Sequence, residues 1–315
     1  MLAVTIEEKK LVIAERPDPL PGAGEVLVRV RAAGLNGADQ LQLRGAYPPP
    51  PGSPLDIPGL ELAGEVVSCG AGAERFADGD RVMAIVGGGG QAELCVVHER
   101  QLMPVPERLD WPAAGGLPET FTTAHDALFT QADLQLGERV LISGAAGGVG
   151  TAAIQLAAAA GAHVTASVRN EALHKEVAAL GAAVVCSPDE SEALGPYDVL
   201  LELVGAPNLD ANFTALASRA RVVVIGVAAG FRSELNLLAL MGSRAQISGS
   251  TLRARPLEEK AATARALEKH VLGGFGDGTF RVPVDQTFPL DQAAAAYESF
   301  AAGGKFGKIV LVNDQ

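Results

Sequence analysis

The chain has 315 residues, and its 25 Lys+Arg against 37 Asp+Glu give a formal charge of −12. That balance argues against nucleic acid or an anionic membrane as a partner, since both are met by basic surfaces. With 48% hydrophobic and 20% charged residues the composition is globular rather than disordered, and at roughly 100–200 residues per domain the length predicts about two domains.

In chain order, the first part, to about residue 116, alternates short period-2 runs with Gly and Pro. Val26, Val28 and Val30 face one way while Arg29 and Arg31 face the other, as in a half-buried antiparallel strand. Further runs at 62–68, 81–86 and 92–97, separated by turn clusters at 77–80 and 87–90, predict a compact β-rich domain. The Pro-rich stretch 47–54 lacks the N–H donors of a central strand and is a loop, either a stiff connector or the lining of a substrate site.

From Arg139 the pattern changes. Apolar runs at 140–142, 164–166, 184–185, 199–203 and 222–225 alternate with Ala/Leu-rich helical stretches that begin near Gly148, Asn170, Asn208 and Glu234. This is the pattern of a parallel, doubly wound α/β sheet. A helix over 257–272, a Gly-rich turn and a closing strand at 309–312 form a tail too small to own a core. It is expected to return to the first domain, which divides the chain into 1–116 with 257–315, and an inserted domain at 117–256.

The low-charge stretch 141–168 is broken by His163 and reads as a buried strand, helix and strand rather than a membrane span. Residues 1–6 lead straight into Glu7, Glu8, Lys9 and Lys10, unlike a secretion signal. The three cysteines, Cys69, Cys95 and Cys186, contain no C-x-x-C pair, so neither a disulfide framework nor a cysteine-rich zinc site is available. A cytoplasmic protein is expected.

The strongest motif is Ser143-Gly144-Ala145-Ala146-Gly147-Gly148-Val149-Gly150, between the strand at 140–142 and a helix over 151–160. Glycines let the backbone turn tightly and approach a pyrophosphate, while free N–H groups at the helix start point at the anion. The next strand ends in Ser167-Val168-Arg169 with no Asp or Glu. An acidic residue there would accept from a ribose 2′-OH and repel a 2′-phosphate, whereas Ser167 and Arg169 can donate to one, so NADPH is expected over NADH. His174 or Lys175 could share that role.

At this point the chain resembles the zinc-independent medium-chain dehydrogenase/reductases, in their quinone oxidoreductase and zeta-crystallin branch. The similar stretches include Ala32-Ala33-Gly34-Leu35-Asn36 with Asp39, Gly45-Ala46-Tyr47, Pro58-Gly59-Leu60-Glu61, Gly79-Asp80-Arg81-Val82, Thr122-Thr123-Ala124 and Gly304-Lys305-Phe306-Gly307-Lys308. Within the branch, Gly88-Gly89-Gly90-Gln91-Ala92 and Leu102-Met103-Pro104-Val105-Pro106 are most similar to the p53-inducible quinone oxidoreductase subgroup. The resemblance implies a GroES-like β domain with an inserted Rossmann domain, a cleft between them for the nicotinamide, and a homodimer through edge strands near 222–250. Zinc-dependent relatives bind their metal through a Cys and a His; here those places carry Asn36 and Leu60, and a leucine cannot ligate zinc.

The expected activity is therefore NADPH-dependent hydride transfer to an electron-poor acceptor, a quinone or similar conjugated carbonyl. The resemblance places Asn36 as an amide donor to the acceptor oxygen and Tyr47 as a donor or stacking ring. It places Thr123, Ala146, Gly147, Gly148, Val149, Gly205, Gly226, Val227, Ser250, Thr251, Leu252, Lys305, Phe306 and Gly307 beside the cofactor. Leu43, Leu94 and His125 depart from the family pattern, and His125 reads as a structural residue. The alternatives are an enone or enoyl-thioester reductase and a non-enzymatic NADPH-binding module. A short-chain reductase is set aside because Tyr47, Tyr197 and Tyr297 each lack a Lys four residues on.

Overall fold

The computed structural model describes residues 1–313. The chain opens with a hairpin, β1 (Leu2–Glu7) and β2 (Lys10–Glu15), turned by Glu8 and Lys9 at φ 48° and 62°. Then follow β3 (Glu25–Gly34), α1 (Gly37–Leu43), β4 (Glu61–Cys69), β5 (Arg81–Ile85), β6 (Leu94–His98), β7 (Met103–Pro104) and α2 (Trp111–His125). The middle of the chain alternates β8 (Arg139–Ser143), α3 (Gly148–Ala159), β9 (His163–Ser167), α4 (His174–Ala178), β10 (Val184–Cys186), β11 (Tyr197–Glu202), α5 (Ala206–Thr214), β12 (Leu216–Val224), α6 (Leu237–Ser243) and β13 (Gln246–Gly249). The tail is α7 (Leu257–His270), α8 (Gly273–Asp277), β14 (Val284–Pro289), α9 (Ala293–Ala302) and β15 (Lys308–Val312).

Two compact units result: 1–122 with 252–315, and 123–251. The first holds a sheet in the order β14-β15-β3-β4-β5-β7, with β6 on β3. The tail thus delivers β15 to the edge of β3, pairing Val310 with Gly34 and Leu311 with Ala33. Val26, Val28 and Val30 are buried with Leu62, Val66, Val82 and Val97 in one core. The second unit is a six-stranded sheet in the order β10-β9-β8-β11-β12-β13, parallel throughout. Its inner strands are buried along nearly their whole length, as strands covered on both faces must be. The strand order reverses between β8 and β11, and ligands of such sheets bind outside the carboxyl ends of the strands at that point.

The units divide at other places than the expected 116 and 256. Helix α2 carries straight through Gly115 and Gly116, which its composition of Gly and Pro118 does not announce. The reason is packing: a Cβ on Gly115 would lie 2.6 Å from Ala32 Cβ, and one on Gly116 would lie 3.0 Å from Lys308 Cγ. At the other junction Leu252 and Arg253 are buried within the first unit. The second-unit helices expected near Asn208 and Glu234 begin at Ala206 and Leu237. Among the described residues no helix is long and apolar enough to cross a membrane.

Candidate active site

In the second unit the glycine motif forms the turn between β8 and α3. Gly144 adopts φ 71°, Gly147 caps the helix, and Thr151 N donates to Gly147 O at 2.8 Å, which leaves the amides of the first helical turn directed away from the helix. Gly150 is where helix meets strand: a Cβ there would lie 2.6 Å from both Cα and O of Ala145. Ala145 N in turn donates to Ser167 O at 3.1 Å, so the turn is tied to the end of β9. Ala146, Gly147, Gly148 and Val149 are half-buried and form the open side of the turn.

The loop after β11 lies against it. A Cβ on Gly144 would meet Val204 Cγ2 at 2.9 Å. Gly205, at φ 110°, is fixed by Glu202, whose Oε1 accepts from Val204 N at 2.6 Å and Gly205 N at 2.8 Å. Burial raises the Glu202 carboxyl, opposed by those two amides. Gly226 follows β12, with no room for a Cβ beside Leu203 O, and Val227 is exposed beyond it. Ser167 is buried at the end of β9, while Arg169 and Lys175 are exposed just past it. His174 is committed to Val168 O at 3.0 Å. Ser250 Oγ donates to Asp126 Oδ2 at 2.9 Å, Thr123 is buried and Thr251 exposed. His125 packs its ring 5.1 Å from that of Phe129.

In the first unit the chemistry gathers around a buried ion pair that no local spacing announces. Lys308 and Glu61 are 3% and 0% exposed, with Nζ 2.7 Å from Oε1. Lys308 Nζ also donates to Leu35 O at 2.6 Å and Asn36 Oδ1 at 2.8 Å, and Glu61 Oε2 accepts from Glu119 N at 2.8 Å. Asn36 Nδ2 donates to Glu61 Oε1 at 2.9 Å and Gly34 O at 3.2 Å. The amide that the resemblance offers to an acceptor oxygen is therefore spent inside this network, because both of its hydrogens already have acceptors. Behind it, Asp39 caps α1 and accepts from Asn36 N at 2.8 Å and Gly59 N at 3.1 Å. Burial pushes the Asp39 carboxyl up to about 6, against the pull of those amides and of the Lys308 and Arg253 charges.

Tyr47 is half-buried at the head of the Pro-rich loop, its ring centroid 5.2 Å from Arg253 Cζ. Leu252 lies buried with Ile85, Met103 and Ala264, so its side chain serves the packing of this unit. Lys305 is half-buried with Nζ 3.7 Å from the Phe300 ring centroid, and burial pulls its ammonium down to about 8. Phe306 N donates to Asp285 Oδ1 at 3.2 Å, and Gly307, at φ 84°, passes so close to Pro283 O that only glycine fits. Sequence reasoning gave no role to Glu61, Arg253 and Glu202, and it read Lys308 as part of a tail segment closing over a cleft or as a solvated turn rather than as half of a buried ion pair. The available signal was a charge set directly against apolar neighbours, as in Leu60-Glu61-Leu62 and Lys308-Ile309-Val310.

The chain matches the family model of the alcohol dehydrogenase GroES-like domain over residues 22–107 and that of the zinc-binding dehydrogenase over residues 176–311. It is 32% identical over 305 residues to the quinone oxidoreductase of Rattus norvegicus, covering 93% of this chain and 91% of that protein. Among solved structures it is similar to an NAD-dependent alcohol dehydrogenase, with TM-score 0.88 and 28% identity over 99% of this chain and 100% of that one. An alcohol dehydrogenase superfamily protein from Novosphingobium aromaticivorans is as similar, with TM-score 0.88 and 29% identity over 100% of both chains.

The zinc in the second model's name does not fit this chain. Leu60 is buried and bears no donor, Glu61 and Asn36 hold the Lys308 ammonium, and no group of three His, Cys, Asp or Glu among the described residues could hold a metal ion. A nicotinamide dinucleotide does fit, since the β8–α3 turn offers open glycine backbone at a helix start beside the strand-order reversal. The GroES-like and dehydrogenase domain matches, the whole-length kinship with quinone oxidoreductases and this glycine turn together establish that the chain belongs to the quinone oxidoreductase branch of the medium-chain dehydrogenase/reductase family, whose members are nicotinamide-dependent oxidoreductases.

Proposed function

We propose that the protein is an NADPH-dependent quinone reductase that works without a metal. The observation that carries this reading is the buried Asn36–Glu61–Lys308 centre beside Leu60: it offers no Lewis acid to polarise an alcohol or a simple carbonyl, so the acceptor must already be electron-poor. When bound, the nicotinamide supplies the hydride. The turn from Gly144 to Gly150 would hold its pyrophosphate on helix amides, and Ser167 with Arg169 would take the 2′-phosphate. Tyr47 is assigned to the acceptor, its ring against the planar face and its hydroxyl toward the oxygen that gains charge. Asn36 acts through Glu61 and Lys308 as a positioning residue that keeps the ends of β3 and β4 and the start of α1 in place.

The test is oxidation of NADPH and NADH by the purified protein with ortho- and para-quinones beside enones. Quinone turnover selective for NADPH is expected, and Arg169→Ala is expected to raise the KM for NADPH by about tenfold to a hundredfold with little change for NADH, the loss of one or two hydrogen bonds to a charged group. Turnover of enones alone would transfer the protein to the alkene reductases. NADPH binding with no acceptor turnover would leave a binding module.

We further propose a homodimer built on the outer edge of β13. That strand is the last of its sheet and all four of its residues are exposed, and nearby Leu238 and Met241 are 77% and 71% exposed. An open edge beside an apolar helix face matches a second copy of itself, because antiparallel pairing about a twofold axis is self-complementary. Light scattering after size exclusion is expected to give twice the chain mass, and Leu238→Glu with Ile247→Arg to return it to one. A monomeric native protein at micromolar concentration overturns the assignment.

A further inference from the structure

Arg253 is 2% exposed, a degree of burial that arginine reaches only when its donors are engaged. Its Nε donates to Gly87 O at 2.8 Å, its Nη1 to Tyr47 O at 3.2 Å and its Nη2 to Gln42 Oε1. The same guanidinium lies 5.2 Å from the Tyr47 ring centroid. One side chain, 206 positions away in sequence, therefore holds Tyr47 by both its backbone carbonyl and its ring. The third anchor is the surface on which the Pro-rich loop sits: a Cβ on Gly87 would lie 2.0 Å from Ser53 Oγ and 2.9 Å from Pro50 Cγ. Bringing a guanidinium so far from water is costly, and Asp39 supplies the compensating negative charge, opposing the downward pull of burial on Arg253.

We propose that Arg253 is a positioning residue for the acceptor, a three-way pin that joins the Tyr47 loop to the Gly87 turn and to α1 and so presents the Tyr47 ring in one orientation. The inference rests on the reading above in which Tyr47 meets the acceptor. The planar fork suits the job: its separate nitrogens reach Gly87, Tyr47 and Gln42 across the width of one rigid guanidinium while its charge lies over the Tyr47 ring, whereas lysine offers all its hydrogens from a single nitrogen. A stiff prolyl loop alone would fix the backbone of 48–51 without fixing how it is seated, and the pin supplies the seat.

Fluorotyrosine labelling gives a readout independent of catalysis, because the chain has three tyrosines and the Tyr47 resonance is identified by its loss in Tyr47→Phe. Arg253→Lys is expected to shift or broaden the Tyr47 resonance and leave that of Tyr197 in place. It is also expected to lower kcat/KM for quinones about tenfold while the KM for NADPH stays within about twofold, since a misplaced contact group costs that much. Tyr47→Ala should then add less in the Arg253→Lys background than it does alone. An unmoved Tyr47 resonance with full quinone turnover in Arg253→Lys, alongside a damaging Tyr47→Ala, overturns the pin. A moved resonance with a harmless Tyr47→Ala upholds the pin and removes the acceptor role of Tyr47, so the two failures are distinct. If Arg253→Lys does not fold, Gln42→Leu deletes one of the three acceptors, and an unmoved Tyr47 resonance there overturns the pin equally.

Discussion

Lys308→Met is expected to destabilise the protein by about 3–5 kcal/mol, because it leaves the Glu61 carboxylate buried and unpaired. The wild-type ammonium meets three oxygens, from Glu61, Asn36 and Leu35, in a site where its own stem packs against Gly34 and Gly116. Methionine fills the stem but returns no donor. Glu61 cannot turn to water, since its second oxygen is held by Glu119 N and the residue is wholly buried. Glu61→Leu in the same chain is expected to restore part of the loss. It removes the stranded charge but takes the acceptor from the amide of Glu119 and from one of the two Asn36 Nδ2 hydrogens, the other keeping Gly34 O, each loss costing about 1–3 kcal/mol. Urea unfolding midpoints of the two single variants and the double variant give the comparison, and a Lys308→Met protein as stable as wild type would mean the pair is not formed. Because Asn36 and β15 are both held by this ammonium, quinone turnover should fall further than stability alone explains.

Gly150→Ala is expected to weaken NADPH binding by about a hundredfold, equivalent to losing one or two hydrogen bonds to a charged group. Its Cβ would sit 2.6 Å from the backbone of Ala145, and backbone cannot yield as a side-chain tip can. Either α3 moves off the strand end or the 144–147 turn opens and the Ala145 bond to Ser167 breaks. Overpacking of this kind costs about 1–3 kcal/mol of stability as well. Gly147→Ala separates the two effects: at φ −76° its Cβ would meet only Gly144 O, at an ordinary 3.5 Å. That variant should fold as wild type and still lose NADPH affinity, since the added methyl faces the open side of the turn. Unchanged affinity in Gly147→Ala, read by fluorescence titration, would remove the pyrophosphate from this turn.

The second unit was largely legible from the chain because its information is local. Buried parallel strands are short continuous apolar runs, and those at 140–142, 164–166 and 199–203 fall within β8, β9 and the β11 region. The glycine turn was legible for the same reason, with strand, turn and helix contiguous. Where local information was contradictory, reading failed: α2 contains Gly115, Gly116 and Pro118 and yet is helical, because those glycines serve contacts with Ala32 and Lys308 rather than backbone propensity. The β1–β2 hairpin escaped notice because its turn is made by Glu8 and Lys9 at positive φ, not by Asn-Gly.

By itself, then, the amino-acid sequence determined the βα alternation of the second unit, the two-part organisation, the glycine turn and the presence of Asn36 and Leu60 in place of zinc ligands, since each depends on residue type or on spacing within a few tens of residues. Tertiary structure alone decided where the polar groups of the first unit spend their hydrogen bonds. Asn36, offered as a donor to the acceptor, proved bound to Glu61 and Gly34, and Lys308 and Arg253 became central. These partners are brought together by the antiparallel register of β15 on β3 and by the entry of 252–253 into the first unit. Side chains more than two hundred positions apart meet only once the sheet has closed, and no pattern within either segment encodes which of them will be left with hydrogens to give.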